Sequence, residues 1–170
     1  MLAFSKAEQG KRLYRFQSIS LEGVVRSAAQ AVQYPLEEGA FNLHLDIEPG
    51  LPPVNADGDA IEQAVVNLLD NAMKYSGGGR EIELRLRCDG NDAVICVRDR
   101  GIGIAPEEQS RIFEKFYRAP LADRRHVPGT GLGLALVDHV VKAHRGRVAV
   151  ESELGHGSTF SILLPLGVNA

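Results

Sequence analysis

Two glycine-rich segments constrain what this chain can fold into more than any other feature. The first is Asp99-Arg-Gly-Ile-Gly-Ile104, which follows an apolar run, and the second is Gly129-Thr-Gly-Leu-Gly-Leu134, which opens an apolar helix. Glycine lets the backbone approach a ligand closely and turn its N–H groups toward it. A helix N-terminus adds positive potential that suits phosphate, whereas a carboxylate only accepts hydrogen bonds. Either segment alone would indicate an ordinary turn, but together they predict a pocket with one end for a base and another for phosphate.

A predicted helix over residues 58–75 carries polar residues apart from its apolar stripe. The apolar positions follow a period of 3.6 residues, and the polar cluster consists of Gln63, Asn67, Asn71 and Lys74. Asparagine is unfavourable inside helices because its amide competes for backbone hydrogen bonds. A solvated face would ordinarily carry glutamate and lysine instead. The two asparagines, one turn apart, therefore favour contact with a ligand.

The remaining elements follow from hydrophobic spacing and from turn residues. The predicted strands are residues 41–47, 82–88, 93–97, 148–152 and 159–164, with a short edge strand at 11–17. The predicted helices are residues 1–9, a run from Ser20 that Pro35 ends, residues 106–116, and a run from Leu134 that Gly146 closes. Residues 117–130 form a long loop, which is typical of a functional or mobile segment.

Composition excludes several classes of protein. The 170 residues suffice for one domain with a proper core, and the net charge of −3 argues against a nucleic-acid partner. No apolar run approaches the ~20 residues of a membrane span, and the start lacks the pattern of a signal peptide. Cys88 and Cys96 are expected to be buried and reduced rather than bridged, and their spacing does not fit zinc. We expect a cytoplasmic domain without membrane contact.

Five motifs, in order, resemble those of the catalytic, ATP-binding domain of sensor histidine kinases, in the wider class with gyrase, Hsp90-type and MutL-type ATPases. They are Asn67-Leu-Leu-Asp-Asn-Ala-Met-Lys-Tyr75, Asp99-Arg-Gly-Ile-Gly103, Ile112-Phe-Glu-Lys-Phe-Tyr-Arg118, Gly129-Thr-Gly-Leu-Gly-Leu134 and Gly155-His-Gly-Ser-Thr-Phe160. The resemblance covers residues 20–166. It implies that residues 1–19 are the end of a dimerisation helix and a linker, and that residues 167–170 are a tail.

The resemblance also implies the fold. We expect a two-layer α/β sandwich, in which a mixed, mainly antiparallel sheet of about five strands carries three main helices on one face. Residues 117–130 would form a mobile ATP lid. Phe113 and Phe116 would anchor that lid by apolar packing rather than touch the ligand.

Individual roles are implied in the same way. Asp99 would accept a hydrogen bond from the adenine amino group, and Asn71 would ligate Mg²⁺ through its amide oxygen. Asn67 would assist at the metal or the phosphates. Lys74 would offer a point charge to phosphate, and Arg118 would reach the γ-phosphate. Further contacts to the nucleotide are implied for Tyr75, Gly101, Gly103, Ile104, Gly129, Thr130, Gly131, Leu132, Gly133, Leu134 and, through water, Thr159.

Two departures from the wider class bear on the activity. Hydrolysing relatives carry a glutamate base where this chain has Asn67, whose amide cannot deprotonate water. In addition, none of the five histidines has the helical context, followed by an acidic residue, of a phospho-acceptor; they are His44, His126, His139, His144 and His156. The chain therefore resembles a donor domain whose acceptor lies on another domain.

The leading hypothesis is a protein histidine kinase domain that binds Mg-ATP and donates the γ-phosphoryl group to a histidine on the adjacent dimerisation domain. A response regulator would act downstream, the parent kinase could be anchored in a membrane, and the isolated domain would be a monomer. The alternative is a nucleotide-binding regulatory module without transfer activity. A third possibility, a hydrolysing ATPase, is disfavoured by Asn67.

Overall fold

Seven strands and four α-helices make up the fold in the computed structural model, which describes residues 13–120 and 129–167. In chain order they are β1 (Gln17–Ile19), α1 (Leu21–Ala31), α2 (Gln33–Glu38), β2 (Asn42–Ile47), β3 (Val54–Ala56), α3 (Gly58–Lys74), β4 (Glu81–Asp89), β5 (Asp92–Asp99), α4 (Gly133–Ala143), β6 (Arg147–Glu153) and β7 (Gly157–Pro165). A single 3₁₀ turn, Pro106–Glu108, lies between β5 and α4.

Five strands form the main sheet, in the order β2-β4-β5-β7-β6. β2 and β4 run parallel, and the three other neighbouring pairs are antiparallel. Strands β1 and β3 pair separately as a short antiparallel ribbon. The expected mixed, mainly antiparallel sheet is therefore confirmed.

The helices α1, α3 and α4 cover one face of this sheet. Inward side chains of the central strands alternate with outward ones, and those of β4, such as Leu84 and Leu86, are fully buried. Ile61, Val65 and Leu69 of α3 are equally buried and face them. Burial of this apolar area, at about 25 cal/mol per Å², is the main source of stability. The expected two-layer α/β sandwich with three main helices is confirmed.

Side chains cap two of these helices at their predicted starts. The Ser20 hydroxyl accepts from the backbone N–H of Gly23 at 3.3 Å, and an Asp57 carboxylate oxygen accepts from that of Ala60 at 3.1 Å. Each bond satisfies an N–H group that the helix itself cannot pair. The position of α3 is thus fixed at the end remote from its asparagines.

Several local predictions differ from the structure. Pro35 lies within the short helix α2 rather than ending the helical run, because the first turn needs no N–H at that position. The edge strand is Gln17–Ile19, so of the described part of the predicted strand 11–17 only Gln17 belongs to it. The predicted helix 106–116 is reduced to one 3₁₀ turn followed by irregular turns, in which Ile112 is inserted into the core.

The cysteines are free, as predicted, but neither is buried, since Cys88 is exposed and Cys96 is partly exposed. The predicted helix 1–9 and most of the proposed lid, 121–128, lie outside the described residues. Within the part of the chain that the structure describes, no helix combines the length and apolar character needed to cross a bilayer.

Candidate nucleotide-binding site

A cavity of about 440 Å³ opens between α3, the start of α4 and the inner ends of β5 and β7. This volume lies within the usual range for small-molecule sites. The predicted residues that line it are Asn67, Asn71, Lys74, Tyr75, Asp99, Gly103, Ile104, Arg118, Gly129, Thr130, Gly131, Leu132, Gly133 and Leu134. The structure therefore brings together the glycine-rich segments and the polar face of α3, as the sequence predicts.

Asp99 forms one end of the cavity. It is 6 % exposed, and one carboxylate oxygen accepts from the backbone N–H of Gly101 at 2.8 Å. Burial raises the pKa of this carboxyl to about 6, although backbone N–H groups of Gly101 and Ser158 donate to it and oppose the rise. A carboxylate desolvated in this way favours a ligand that donates a hydrogen bond to it.

Ser158, rather than Thr159, lines the cavity beside Asp99. Side chains alternate along β7, so Ser158 shares the inner face with buried Phe160, while Thr159 lines a separate groove on the outer face of the sheet. The structure therefore does not bring Thr159 to this cavity. Counting back in steps of two from the core residue Phe160 would have identified Ser158 from the sequence.

Gly101, also predicted to contact the nucleotide, lies behind the cavity wall instead. A Cβ atom at this position would lie 1.9 Å from the carbonyl oxygen of Tyr75. A hydrogen bond from Ile102 N to the same oxygen, at 3.0 Å, holds the two segments at this short distance. The glycine is thus required for the close approach of this loop to the end of α3 rather than for contact with the cavity.

Gly131 serves a similar purpose in the second glycine-rich segment. Its φ is +75°, and a Cβ atom would lie 2.7 Å from the backbone of Phe116. Phe116 donates its N–H to Gly131 O at 3.0 Å and has a φ of +62° itself. Phe116 is 68 % exposed, so the apolar packing expected of it is absent, whereas Phe113 packs edge-to-face on Phe160.

The α3 face supplies the opposite end of the cavity. The Asn67 amide accepts from Gln63 Nε2 at 3.1 Å and donates to Gly133 O at 3.5 Å, so it bridges α3 and the start of α4. Asn71 lies one turn further along α3 and lines the cavity. Among the described residues its side-chain amide makes no hydrogen bond, which leaves its oxygen available to a ligand or a hard cation.

Asp70 is a cavity residue that the sequence analysis missed. Its carboxylate lies 2.8 Å from Lys74 Nζ, and the two residues are spaced four apart on the same helix. That spacing is the signal that could have identified the pair. Since both side chains are substantially exposed, the ion pair is weak and can rearrange.

The start of α4 completes this end. No side chain caps the helix at Leu132, and the Thr130 hydroxyl accepts instead from Leu132 N at 3.3 Å. The first N–H groups of α4 therefore adjoin the cavity through Gly133 and Leu134 with the positive end of the helix dipole. Arg118 also lines the cavity.

The cavity thus has two chemically distinct ends. We call Asp99 and Ser158, with the apolar Ile104 and Phe160 beside them, the base end. We call Asn67, Asn71, Lys74 and the start of α4 the phosphate end. A buried acceptor at one end and positive groups at the other suit a ligand that carries an amino-substituted ring and a phosphate chain.

The fit to a magnesium ion is also favourable at the phosphate end. Within the described ranges, 13–120 and 129–167, no group of three or more histidine, cysteine, aspartate or glutamate side chains could hold a metal, at this end or elsewhere. Mg²⁺ ordinarily keeps several waters and takes few protein ligands besides substrate phosphates. One amide oxygen, that of Asn71, is consistent with this mode of binding.

Comparison with known proteins gives a family match over residues 56–168, to the family described as "Histidine kinase-, DNA gyrase B-, and HSP90-like ATPase". The chain is 35 % identical over 170 residues to the sensor-like histidine kinase SenX3 of Mycobacterium bovis, with 100 % of this chain and 41 % of that protein covered. The chain thus spans about two fifths of that relative's length.

Solved structures give the same picture. Full-length ShkA in complex with AMPPNP superposes with a TM-score of 0.81 at 29 % identity, covering 96 % of this chain and 34 % of that one. The mycobacterial sensor histidine kinase MprB superposes with a TM-score of 0.77 at 31 % identity, covering 88 % of this chain and 97 % of that one.

Proposed function

The chain belongs to the family of histidine kinase-, DNA gyrase B- and HSP90-like ATPases, and we propose that it is a histidine kinase catalytic domain, which binds Mg-ATP and donates the γ-phosphoryl group to a histidine on a dimerisation domain. The observation that carries this proposal is the two-ended cavity, in which buried Asp99 faces the asparagine face of α3 and the start of α4.

At the base end, Asp99 accepts a hydrogen bond from the adenine amino group while the ring packs on apolar side chains, including Ile104 and Phe160. Ionised Asp99 is acceptor-only, so an amino group satisfies it and a keto oxygen does not. The burial that raises the pKa of Asp99 also strengthens this interaction, because less water competes for the carboxylate.

At the phosphate end, Asn71 offers a hard oxygen ligand for Mg²⁺, which would neutralise phosphate charge when bound. Lys74 exchanges its Asp70 partner for phosphate, and the N–H groups at the start of α4 hold phosphate oxygens. Arg118 is proposed to reach the γ-phosphate. Phosphoryl transfer then needs mainly positioning of an external acceptor.

Asn67 supports transfer rather than hydrolysis. Its amide is not a base, and both of its polar atoms are engaged, with Gln63 and with Gly133. We therefore propose that the domain hydrolyses ATP slowly and that the phosphoryl group is kept for the acceptor domain. A response regulator would act downstream.

Incubation of the chain with γ-labelled ATP, Mg²⁺ and the histidine-bearing domain of the parent kinase tests the proposal. The expected result is acid-labile label on that domain, weak because no tether raises the local concentration, and none on this chain. A glutamine in place of the acceptor histidine is the matched control. ATP binding without label indicates the regulatory module instead, and fast release of labelled phosphate indicates a hydrolysing ATPase.

A further inference from the structure

Two serine hydroxyls lie back to back beneath the base end of the cavity. Ser158 lines the cavity, whereas Ser152 on the neighbouring strand β6 does not, and the two hydroxyl oxygens lie 2.8 Å apart. Ser152 Oγ also lies 2.8 Å from the backbone nitrogen of Ile104 and 2.9 Å from the carbonyl oxygen of Gly157. Neither hydroxyl is used by the nucleotide contacts described above.

The directions of these three hydrogen bonds follow from the groups involved. The Ile104 N–H can only donate and Gly157 O can only accept, while each hydroxyl has a single hydrogen. If Ser152 donates to Gly157 O and accepts from Ile104 N, then Ser158 must donate its hydrogen to Ser152. The reverse arrangement would leave Gly157 O and Ser152 Oγ in contact without a hydrogen between them.

Ser152 is itself held firmly in this position. Its backbone carbonyl accepts from Gln109 Nε2 at 3.0 Å, and the same amide group donates to Ile104 O at 3.0 Å. Ser158 is 7 % exposed, and the described residues offer its hydroxyl no partner besides Ser152. The hydrogen of Ser158 is therefore drawn away from the cavity, and only its lone pairs face the ligand.

We infer that Ser152 is a specificity-determining positioning residue, which holds Ser158 as a hydrogen-bond acceptor and makes the base end select a 6-amino purine against a 6-oxo purine. With Asp99 ionised, both polar groups beside the base are then acceptors. An amino group donates to them, whereas the oxo group of inosine or guanine places a third acceptor against two others, and unpaired buried groups are strongly disfavoured. This inference rests on the proposed binding of ATP.

A double-mutant cycle isolates the effect. Affinities for ATP and for inosine triphosphate are measured for the native chain, Ser152→Ala, Ser158→Ala and the double variant. In Ser152→Ala the Ser158 hydroxyl is free to turn its hydrogen toward an oxo group. We expect the preference for ATP over inosine triphosphate to fall about fivefold, the effect of one hydrogen bond.

In the Ser158→Ala background, adding Ser152→Ala should leave the preference unchanged. Ser152→Thr keeps the hydroxyl and should restore the native preference. Ser161→Ala, which removes a hydroxyl from the outer face of β7, the strand of Ser158, is the matched control and should not change the nucleotide preference. Thermal unfolding of each variant checks that the fold is retained.

Two outcomes overturn the inference. Equal losses of affinity for both nucleotides in Ser152→Ala would make the serine merely structural, and an unchanged preference would remove Ser158 from base selection. Failure of the native chain to bind either nucleotide is a different result, since it would contradict the proposed function itself.

Discussion

The two ends of the cavity differ in how far the protein has prepared them. At the base end, Asp99 and Ser158 are at most 7 % exposed, and every polar group described there has a defined partner. At the phosphate end, the one ion pair of Lys74 among the described residues is with exposed Asp70, and the amide of Asn71 makes no hydrogen bond to another of these residues. The base end is preorganised by the fold, and the phosphate end is completed by its ligand.

Asn71→Ala should separate the two ends most sharply. It removes the proposed metal ligand without removing a buried contact, so phosphoryl transfer should fall by about a hundredfold or more. Adenosine, which has no phosphates, should bind as before. Asn91→Ala, in the exposed β4–β5 turn, is the control. Normal transfer by Asn71→Ala would show that the metal assignment is wrong.

Asp99→Asn should damage the base end instead. The amide would set an NH₂ group against the adenine amino group, and a buried unsatisfied donor costs about 1–3 kcal/mol, or roughly tenfold or more in affinity. The loss should be the same for adenosine and for ATP, as measured by calorimetry. A loss confined to ATP would place Asp99 near the phosphates.

The raised pKa of Asp99 predicts that adenosine binding depends on pH. Binding favours the ionised carboxylate, so affinity should be complete above the pKa of about 6 and fall as pH decreases through it. If only the ionised form binds, the dissociation constant rises about fourfold from pH 7 to pH 5.5. Calorimetry with Asp99→Asn, whose affinity should be flat over this range, provides the comparison.

The same shift affects stability in the opposite sense to an ion-paired aspartate. Because the folded pKa lies above the ordinary value of 3.8, ionisation of Asp99 costs stability as pH rises from about 4 to about 6. The native chain should therefore lose stability relative to Asp99→Asn across that window, by the order of 3 kcal/mol in total. Urea unfolding at several pH values measures this difference, and parallel curves for the two proteins would argue against a raised pKa.

The smallest effect is expected from Asp70→Asn. The substitution releases Lys74 from its exposed ion pair, so ATP affinity should rise about twofold to threefold while adenosine affinity stays constant. Asp138→Asn breaks the equivalent pair with Lys142 on α4, also at 2.8 Å but away from the cavity, and should change neither affinity. A loss of ATP affinity in Asp70→Asn would assign the carboxylate a direct role at the phosphate end.

The sequence predicted what depends on periodicity and missed what depends on tertiary contact. The five strands of the main sheet, α3 and the asparagine face were foreseen, because apolar spacing and the position of Asn67 and Asn71 determine them locally. The strand β3, Val54–Ala56, was missed, since a loop was expected up to residue 55. The prediction of a helix over residues 106–116 was wrong, because insertion of Ile112 into the core overrides the local helix propensity.

The glycines show the same limit. Their positions correctly marked the cavity, but Gly101 and Gly131 prove necessary for the approach of one backbone segment to another, at Tyr75 and Phe116. Which neighbour a glycine approaches cannot be read from its own sequence context. By contrast, the alternation of side chains along β7 would have been enough to predict that Ser158, and not Thr159, lines the cavity.

The central claim is that one adenine nucleotide occupies both ends at once, with its base at Asp99 and its phosphates at Asn71 and the start of α4. Backbone amide chemical shifts, recorded by NMR during titration with adenosine and then with a non-hydrolysable ATP analogue and Mg²⁺, test it most directly. Adenosine should shift Gly101, Ile104 and Ser158, and the analogue should add shifts at Asn71 and Gly133. Shifts from adenosine at the phosphate end, or from either ligand around Glu83 and Arg85 on the outer sheet face, would contradict the account.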